Sequence, residues 1–449
     1  MTKLLMFLSK FVFGEFEEEE FKKFLRFGSV LMMVIGIYWT IRPLKDSLFT
    51  QLAGKENIPW AKTVSLILMI PTIALYTKLL NKFPKIKLLG NLPSLVYGVV
   101  ILCYAGFIWA FQSGIISPSI ITVVLGYFWY FFVESYGSLI VALFWAFLAE
   151  ITNVESSKKG FPLVYAVAQL GAIIFPLIFI KLPIQLHVKS DAISMLLIVV
   201  MLFLINPLVK YIDKKTPKQE LAVQTIAANE NPEKKKQKTG FVEGLKLLFT
   251  TPYLAGIFFS LAFFEVLTTI FDFNFKYEAG TVYSGVQLTN YLASFSSVVN
   301  TVSFLMLIFG INKITKRLGI TISLIIVPIF FGMATFGFLT IHSLDFLFWL
   351  AVCSKAINYA LNGPSLKQLY VPTSQTAKTK AQAWIETFGS RAAKEGGSIL
   401  NLLPQAIGRA SAKLVSCGVG FVFVGIWFFM SLYLGKTYKK AVNTKTNVC

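Results

Sequence analysis

Twelve apolar runs, each about 20 residues long, constrain this chain more than any motif does. They fall at approximately 27–48, 61–80, 93–111, 120–149, 161–181, 192–212, 252–276, 287–310, 320–341, 345–369, 382–406 and 412–435. A helix of that length spans the hydrocarbon core of a bilayer and satisfies its own backbone hydrogen bonds there. Only 14% of the residues are charged, against about 25% in soluble domains. The fold class is therefore an all-α polytopic membrane protein. A net charge of +20 would point to nucleic acid in a soluble protein. Here it reads as loop charge that sets orientation, and no nucleic acid partner is expected.

The loops test the count. With both termini on one side, that side carries 28 Lys and Arg and the other carries seven. Positive charge collects on the cytoplasmic side, so both termini are expected there. The stretch 214–240 is polar, basic and poor in aromatics, as a solvated linker would be. Its Lys234-Lys235-Lys236 run could touch anionic membrane lipid. The expected organisation is an amphipathic cytoplasmic segment over 1–26, a six-span half over 27–212 and a basic linker over 213–250. A second six-span half over 251–435 and a cytoplasmic tail over 436–449 complete it. Two six-helix halves joined by a basic loop are major-facilitator-like. A monomer is expected.

Other chemistries find no support. Cys103, Cys353, Cys417 and Cys449 show no ligand or disulfide spacing. His187 and His342 lie in short loops. No Walker A, H-E-x-x-H or nucleophile-elbow motif sits in a plausible context. No metal, cofactor or enzymatic activity is expected. Acids at Glu15 and at 17–20 do not suit a cleavable signal peptide.

The informative residues are ionisable ones inside the spans, where each is costly. Span one closes on Tyr38-Trp39-Thr40-Ile41-Arg42-Pro43-Leu44-Lys45-Asp46. Helical spacing puts Tyr38, Arg42 and either Lys45 or Asp46 on one face. Span four has Glu134 and Glu150; span seven has Glu265, Asp272 and Lys276 in one stripe. Span ten has Lys355, Asn358, Asn362 and Ser365 on one face, with Lys367 aside. Span eleven has Glu386, Ser390 and Lys394 on one face, and Arg391 four residues before Glu395. Structural readings stand beside functional ones. Arg42, Lys45 and Asp46 could snorkel from a helix end, as could Glu134, Glu150, Lys276 and Lys367. Arg391 could pair with Glu395, and Asp272 with Lys276. Taken together, the charges suggest a polar cavity with an excess of fixed cations, and so an anionic substrate.

These residues resemble the nucleotide (ATP/ADP-type) transporter family of plastids and of obligate intracellular bacteria and microsporidia. The 38–46 stretch is similar to that family's first-span motif. Leu143-Phe144-Trp145-Ala146-Phe147-Leu148-Ala149-Glu150-Ile151-Thr152, with Lys158-Lys159 and Phe161-Pro162-Leu163, resembles its fourth span and following loop. Asn358, Pro364, Leu369-Tyr370-Val371-Pro372-Thr373, Lys380-Ala381-Gln382, Trp384-Ile385-Glu386 and Phe388-Gly389-Ser390-Arg391 resemble its tenth and eleventh spans. The resemblance implies nucleotide transport, either as exchange of ATP for ADP and phosphate or as import with protons. It places the family's charged positions on Lys45, Glu150 and Glu265. The fourth cation is shifted one residue, from Leu366 to Lys367, about 100° round a helix. Thr269 stands where ATP/ADP members carry a lysine. Both departures imply a divergent branch.

The resulting expectation is alternating access by two rocking halves. Arg42 and Lys45 would bind phosphates, with Asp46 beside them and Lys367, Arg391 and Lys394 contributing from the second half. Glu150 and Glu265 would hold these cations in the empty state. Glu265 or Asp272 could carry a coupling proton, and Tyr38 could stack on the base. Substrates would be ATP, ADP or another NTP or NDP, with phosphate or protons as possible co-substrates. The 37 Lys against 5 Arg hint at an AT-rich genome, which fits the plasma (inner) membrane of an intracellular bacterium or parasite. Other readings are a major-facilitator carrier of another organic anion, such as a sugar phosphate or dinucleotide, and a non-transporting membrane receptor or scaffold.

Overall fold

The computed structural model describes residues 15–152, 154–187, 190–215, 248, 250–309, 311–374, 381–444 and 448, and all regular structure among them is helical. The 216–247 part of the basic linker and the first fourteen residues lie outside the described residues. The chain divides into two units, Met1–Lys236 with Gly280–Phe304, and Gln237–Ala279 with Leu305–Cys449.

Unit one is built on α1, Glu18–Ala53. Glu18, Glu19 and Glu20 fill its first turn, where the helix dipole favours negative charge. It ends at Gly54, whose φ of 87° suits glycine. The helix therefore runs past the 27–48 run at both ends, and Phe21 and Phe24 are buried rather than spread on an interface. Pro43 lies inside it. A proline donates no backbone hydrogen bond, which a membrane helix tolerates when neighbours support it.

The remaining helices of this unit are α2 (Ile58–Lys82), α3 (Val99–Gln112), α4 (Ile120–Glu150), α5 (Val154–Pro176) and α6 (Asp191–Lys215). A capping box starts α4, with Ser119 N donating to Thr122 Oγ1 at 3.0 Å and Thr122 N donating back to Ser119 Oγ at 3.4 Å. Its 31 residues reach about 46 Å, more than a hydrocarbon core needs. α1 packs lengthwise on α5 through small residues. A Cβ on Gly171 would overlap the Met32 carbonyl, and one on Gly36 would meet the Phe175 ring. Lipid gives helices no hydrophobic reason to associate, so close backbone approach of this kind supplies the attraction. α1 also packs on α4, where the Tyr136 hydroxyl donates to Val34 O at 3.3 Å.

α7 (Pro252–Val282) belongs largely to unit two, and α8 (Gly285–Phe309) largely to unit one. Hydrogen bonds account for the place of α8. Thr289 Oγ1 donates to Ser47 Oγ at 2.8 Å, Ser47 Oγ donates to Gly285 O at 3.1 Å, and Ser297 Oγ donates to Ile173 O at 3.4 Å.

Unit two continues with α9 (Ile311–Thr340), α10 (Leu344–Ile357), α11 (Gly363–Leu369), α12 (Ser390–Leu400) and α13 (Arg409–Thr444). α9 lies against α13, with Phe331 beside Trp427 at 5.6 Å between ring centroids. Two π-helical turns, Asn358–Asn362 and Ile385–Gly389, interrupt the segments expected at 345–369 and 382–406. Such turns widen the helix and are frequent at functional sites.

Among the described residues, nine helices are long and apolar enough to cross a membrane. The expected runs at 287–310, 345–369 and 382–406 are helical too but fall outside that set. The first of these is rich in Ser, Thr and Asn, and the other two carry π turns, as do the 93–111 and 161–181 runs at Leu92–Gly98 and Leu177–Lys181.

Candidate functional site

The charged residues of the spans gather into ion-paired clusters, one in unit one and two in unit two. In unit one, Lys45 is 2% exposed and its Nζ pairs with Glu134 Oε1 on α4. The same Nζ stands 3.5 Å from Asp46 Oδ1 and 4.0 Å from the centre of the Tyr130 ring. Burial excludes snorkelling for Lys45 and Asp46, because the helix carries them into the α1–α4 packing before it ends at Ala53. Arg42 is half-buried, lies 5.0 Å over the Trp39 ring, and is within electrostatic reach of Lys45 and Glu134. Tyr38 packs its ring against Gly137 and makes an edge contact with Trp39 at 6.1 Å.

Glu134, the partner of Lys45, is a residue whose position sequence reasoning misread. It stands midway along α4, not at a span end, so it cannot reach the interface. Its position in the middle of the 120–149 run was the available signal. Glu150 ends α4, and its side chain lies outside the described residues.

In unit two, Glu265 on α7 accepts from Ser390 Oγ at 2.7 Å and stands 3.5 Å from Lys394 Nζ, both on α12. Lys394 is more than half exposed while the Glu265 side chain is 13% exposed. Two turns along α7, Asp272 is gripped on both oxygens. Oδ2 meets Lys276 at 2.7 Å and Oδ1 meets Lys355 of α10 at 2.8 Å. The expected Asp272–Lys276 pair thus forms and gains a second cation. Lys355 was legible as an intramembrane charge, but its partner was not. Across the π turn of 358–362, Asn362 Nδ2 donates to Asn358 Oδ1 at 3.1 Å.

Two expected ligands stand apart. Lys367 is exposed on α11, and Arg391 is half-buried on α12; neither makes an ion pair among the described residues. A pocket of about 410 Å³ opens elsewhere in unit two, lined among others by Asn274, Glu278, Phe338, Asn401, Arg409 and Lys413. None of the expected ligands lines it. Among the described residues no cluster of His, Cys, Asp and Glu could hold a metal.

The arrangement suits reversible anion binding. Each buried cation is held by a carboxylate that an incoming phosphate could replace, and a buried cation without such a partner would be strongly destabilising.

Residues 3–347 match the family model described as TLC ATP/ADP transporter. The chain belongs to that family. The match covers α1 to α9 and stops before Lys355 and the π turns of unit two. Relatives support it over the full length at low identity. ADP,ATP carrier protein 1 of Rickettsia typhi is 24% identical, over 96% of this chain and 96% of its own. The corresponding protein of Rickettsia prowazekii is 23% identical over 95% of each chain. The chloroplastic ADP,ATP carrier protein 1 of Arabidopsis thaliana is 24% identical over 87% of this chain and 69% of its own.

Solved structures agree on the fold. The nucleoside transporter NupG overlays with a TM-score of 0.58 at 13% identity, covering 91% of this chain and 98% of its own. A bacterial homologue of the lysosomal transporter Spinster, inward-facing and unoccupied, overlays at 0.56 and 12% identity, covering 94% and 98%. These are major-facilitator-type transporters, and at this identity they speak for architecture alone. This TLC-family chain is an integral membrane protein, and its function is nucleotide transport across the membrane.

Proposed function

We propose that the protein moves ATP, ADP or another NTP or NDP by alternating access, with twelve spans in two six-helix halves and both termini cytoplasmic. The observation that carries the site assignment is the burial of Lys45 against Glu134, with Arg42 within electrostatic reach. Lys45 is a compact point charge and Arg42 a planar fork, which suits them to one phosphate chain together. In the empty carrier Glu134 holds Lys45; substrate phosphate takes the place of that carboxylate and gives it back on release.

In unit two the proposed roles differ. Glu265, with Ser390 and Lys394, forms one exchangeable site. Asp272 keeps Lys276 and Lys355 neutralised. Arg391 and Lys367, which make no ion pair among the described residues, add attraction. The changed cations at Thr269 and at 366–367 favour a branch whose nucleotide or coupling differs from strict ATP/ADP exchange. Coupling to counter-nucleotide, phosphate or protons is part of the proposal. The membrane is proposed to be the plasma (inner) membrane of an intracellular bacterium or parasite.

The test is uptake into cells or proteoliposomes of labelled ATP, ADP, GTP, CTP and UTP, with and without internal counter-nucleotide and with and without a pH gradient. Saturable uptake of at least one, lost in Lys45→Gln, is expected. Absence of uptake of all five under every condition would sink the reading.

A further inference from the structure

Among the described residues, buried charge is paired with one exception. Two carboxylates are buried there, Asp46 and Asp191. Asp46 stands 3.5 Å from Lys45. Asp191 is 1% exposed and the first residue of α6, and no cation among the described residues contacts it. Its described partners are neutral. Oδ2 accepts from Gln112 Nε2 of α3 at 2.8 Å. Gln112 Oε1 in turn accepts from Asp191 N at 3.0 Å and from Ser190 Oγ at 2.9 Å. Gln51 of α1 and Thr289 of α8 are the other described polar side chains facing the carboxyl, and no charged group among the described residues acts on it. No hydrogen bond of ordinary geometry reaches Oδ1.

An ionised carboxylate shut away from water without a counter-charge is unfavourable, and such groups take up a proton instead. The neutral acid fits this site, because it supplies an O–H where Gln51 and Thr289 offer acceptor oxygens. The other acids are poor proton carriers by comparison. A proton on Asp272 would break two ion pairs, and one on Glu134 would break its pair with Lys45.

The cover over Asp191 is also connected to the binding region. Thr289 bonds Ser47, and Gln51 Nε2 donates to Ser47 Oγ at 3.2 Å, next to Asp46 and Lys45 on α1. The start of α8 is further tied down by Lys55 Nζ, which donates to Thr281 Oγ1 at 2.6 Å. Lifting the start of α8 from α1 would bring water to the carboxyl.

We infer that Asp191 is the proton-carrying group of this carrier, neutral while the ends of α1, α3, α6 and α8 are closed over it and ionised when they part. In that step the Asp191 O–H bond breaks and the proton passes to water; reclosure takes one back. The inference deepens the transport proposal by naming its coupling ion, and it rests on that proposal for its meaning in transport.

Two readouts keep the two ideas separable. In proteoliposomes, wild-type uptake of labelled ATP or ADP is expected to rise with an imposed pH gradient. Asp191→Asn should remove that rise while keeping exchange against internal nucleotide, and Asp191→Glu should retain it. Independently of transport, infrared difference spectra between acid and alkaline buffer should show a protonated-carboxyl band that D191N lacks. If D191N does not fold, Gln112→Leu serves instead: loss of its donated bond should move the infrared transition to higher pH. Wild-type exchange with no gradient response would overturn the inference and leave nucleotide transport standing. An undiminished gradient response or carboxyl band in D191N would also overturn it. No nucleotide uptake by wild type would defeat the transport reading, while the infrared band would still decide whether Asp191 holds a proton.

Discussion

Lys45 on α1 is tied to Glu134 on α4 by an ion pair that bridges 89 residues of sequence. Unit two has a counterpart with the signs exchanged: the acid, Asp272, stands on α7 and the cation, Lys355, on α10. In both units a long helix is fastened to another by a charge that cannot reach water by itself. Such pairs add little net stability over apolar packing, but removing one partner is costly.

The Lys45–Glu134 pair should therefore separate folding from transport. Lys45→Gln is expected to lower stability by about 3 kcal/mol, since it leaves Asp46 buried without its cation, and Glu134→Gln by less, since Lys45 keeps Asp46 at 3.5 Å. The double variant should recover only part of that loss in thermal unfolding, because Asp46 stays buried without Lys45, while nucleotide uptake stays about 100-fold down. Recovery of uptake in the double variant would remove Lys45 from the phosphate site.

Asp272 holds two cations, so its loss should cost more than the loss of either. Asp272→Asn strands Lys276 and Lys355 together, whereas Lys355→Met leaves the Asp272–Lys276 pair intact. Thermal unfolding in detergent should show D272N down by about 3–5 kcal/mol and K355M by clearly less. Equal losses would mean that Lys276 does not depend on Asp272.

Arg391 offers the reverse case. It makes no ion pair among the described residues, so Arg391→Gln should change stability by no more than about 0.5 kcal/mol. Initial uptake rates measured over a range of nucleotide concentrations should show a raised KM with kcat little changed, the mark of a lost ground-state contact. An unaltered KM would place Arg391 outside the substrate path.

The α1–α5 seam predicts a steric result with no electrostatics in it. Gly171→Val puts side-chain carbon where the Met32 carbonyl lies, while Gly106 on α3 has nothing within 4 Å of a built Cβ. Overpacking costs about 1–3 kcal/mol where neighbours can shift, and a helix backbone cannot shift far. G171V should fail to accumulate as folded protein in a fluorescence-detected gel filtration assay. Gly106→Ala should match wild type.

Much of this protein was legible before any coordinates. Apolar runs of bilayer length, the loop charge asymmetry and the absence of catalytic motifs are local properties, readable residue by residue. The family resemblance rested on short motifs, above all the 38–46 stretch. Lys45, Arg42, Glu265 and Asp272 could be marked as notable because any charge in an apolar run is. Glu134 carried the same mark but was assigned to a span end, although it stands at mid-run. Asp191 carried no such mark, because it lies one residue before the 192–212 run.

Hydropathy settles whether a segment enters the membrane, because each residue meets lipid or water largely on its own account. That is why the sequence alone determined a helical membrane carrier with charges to explain. It could not determine which acid holds which cation, because pairing depends on how each helix is rotated and where it crosses its neighbours. Glycines such as Gly171 set those crossings through contacts distant in the chain. Only the tertiary structure decided that Lys45 meets Glu134, that Asp272 takes two lysines, and that Asp191 meets none among the described residues.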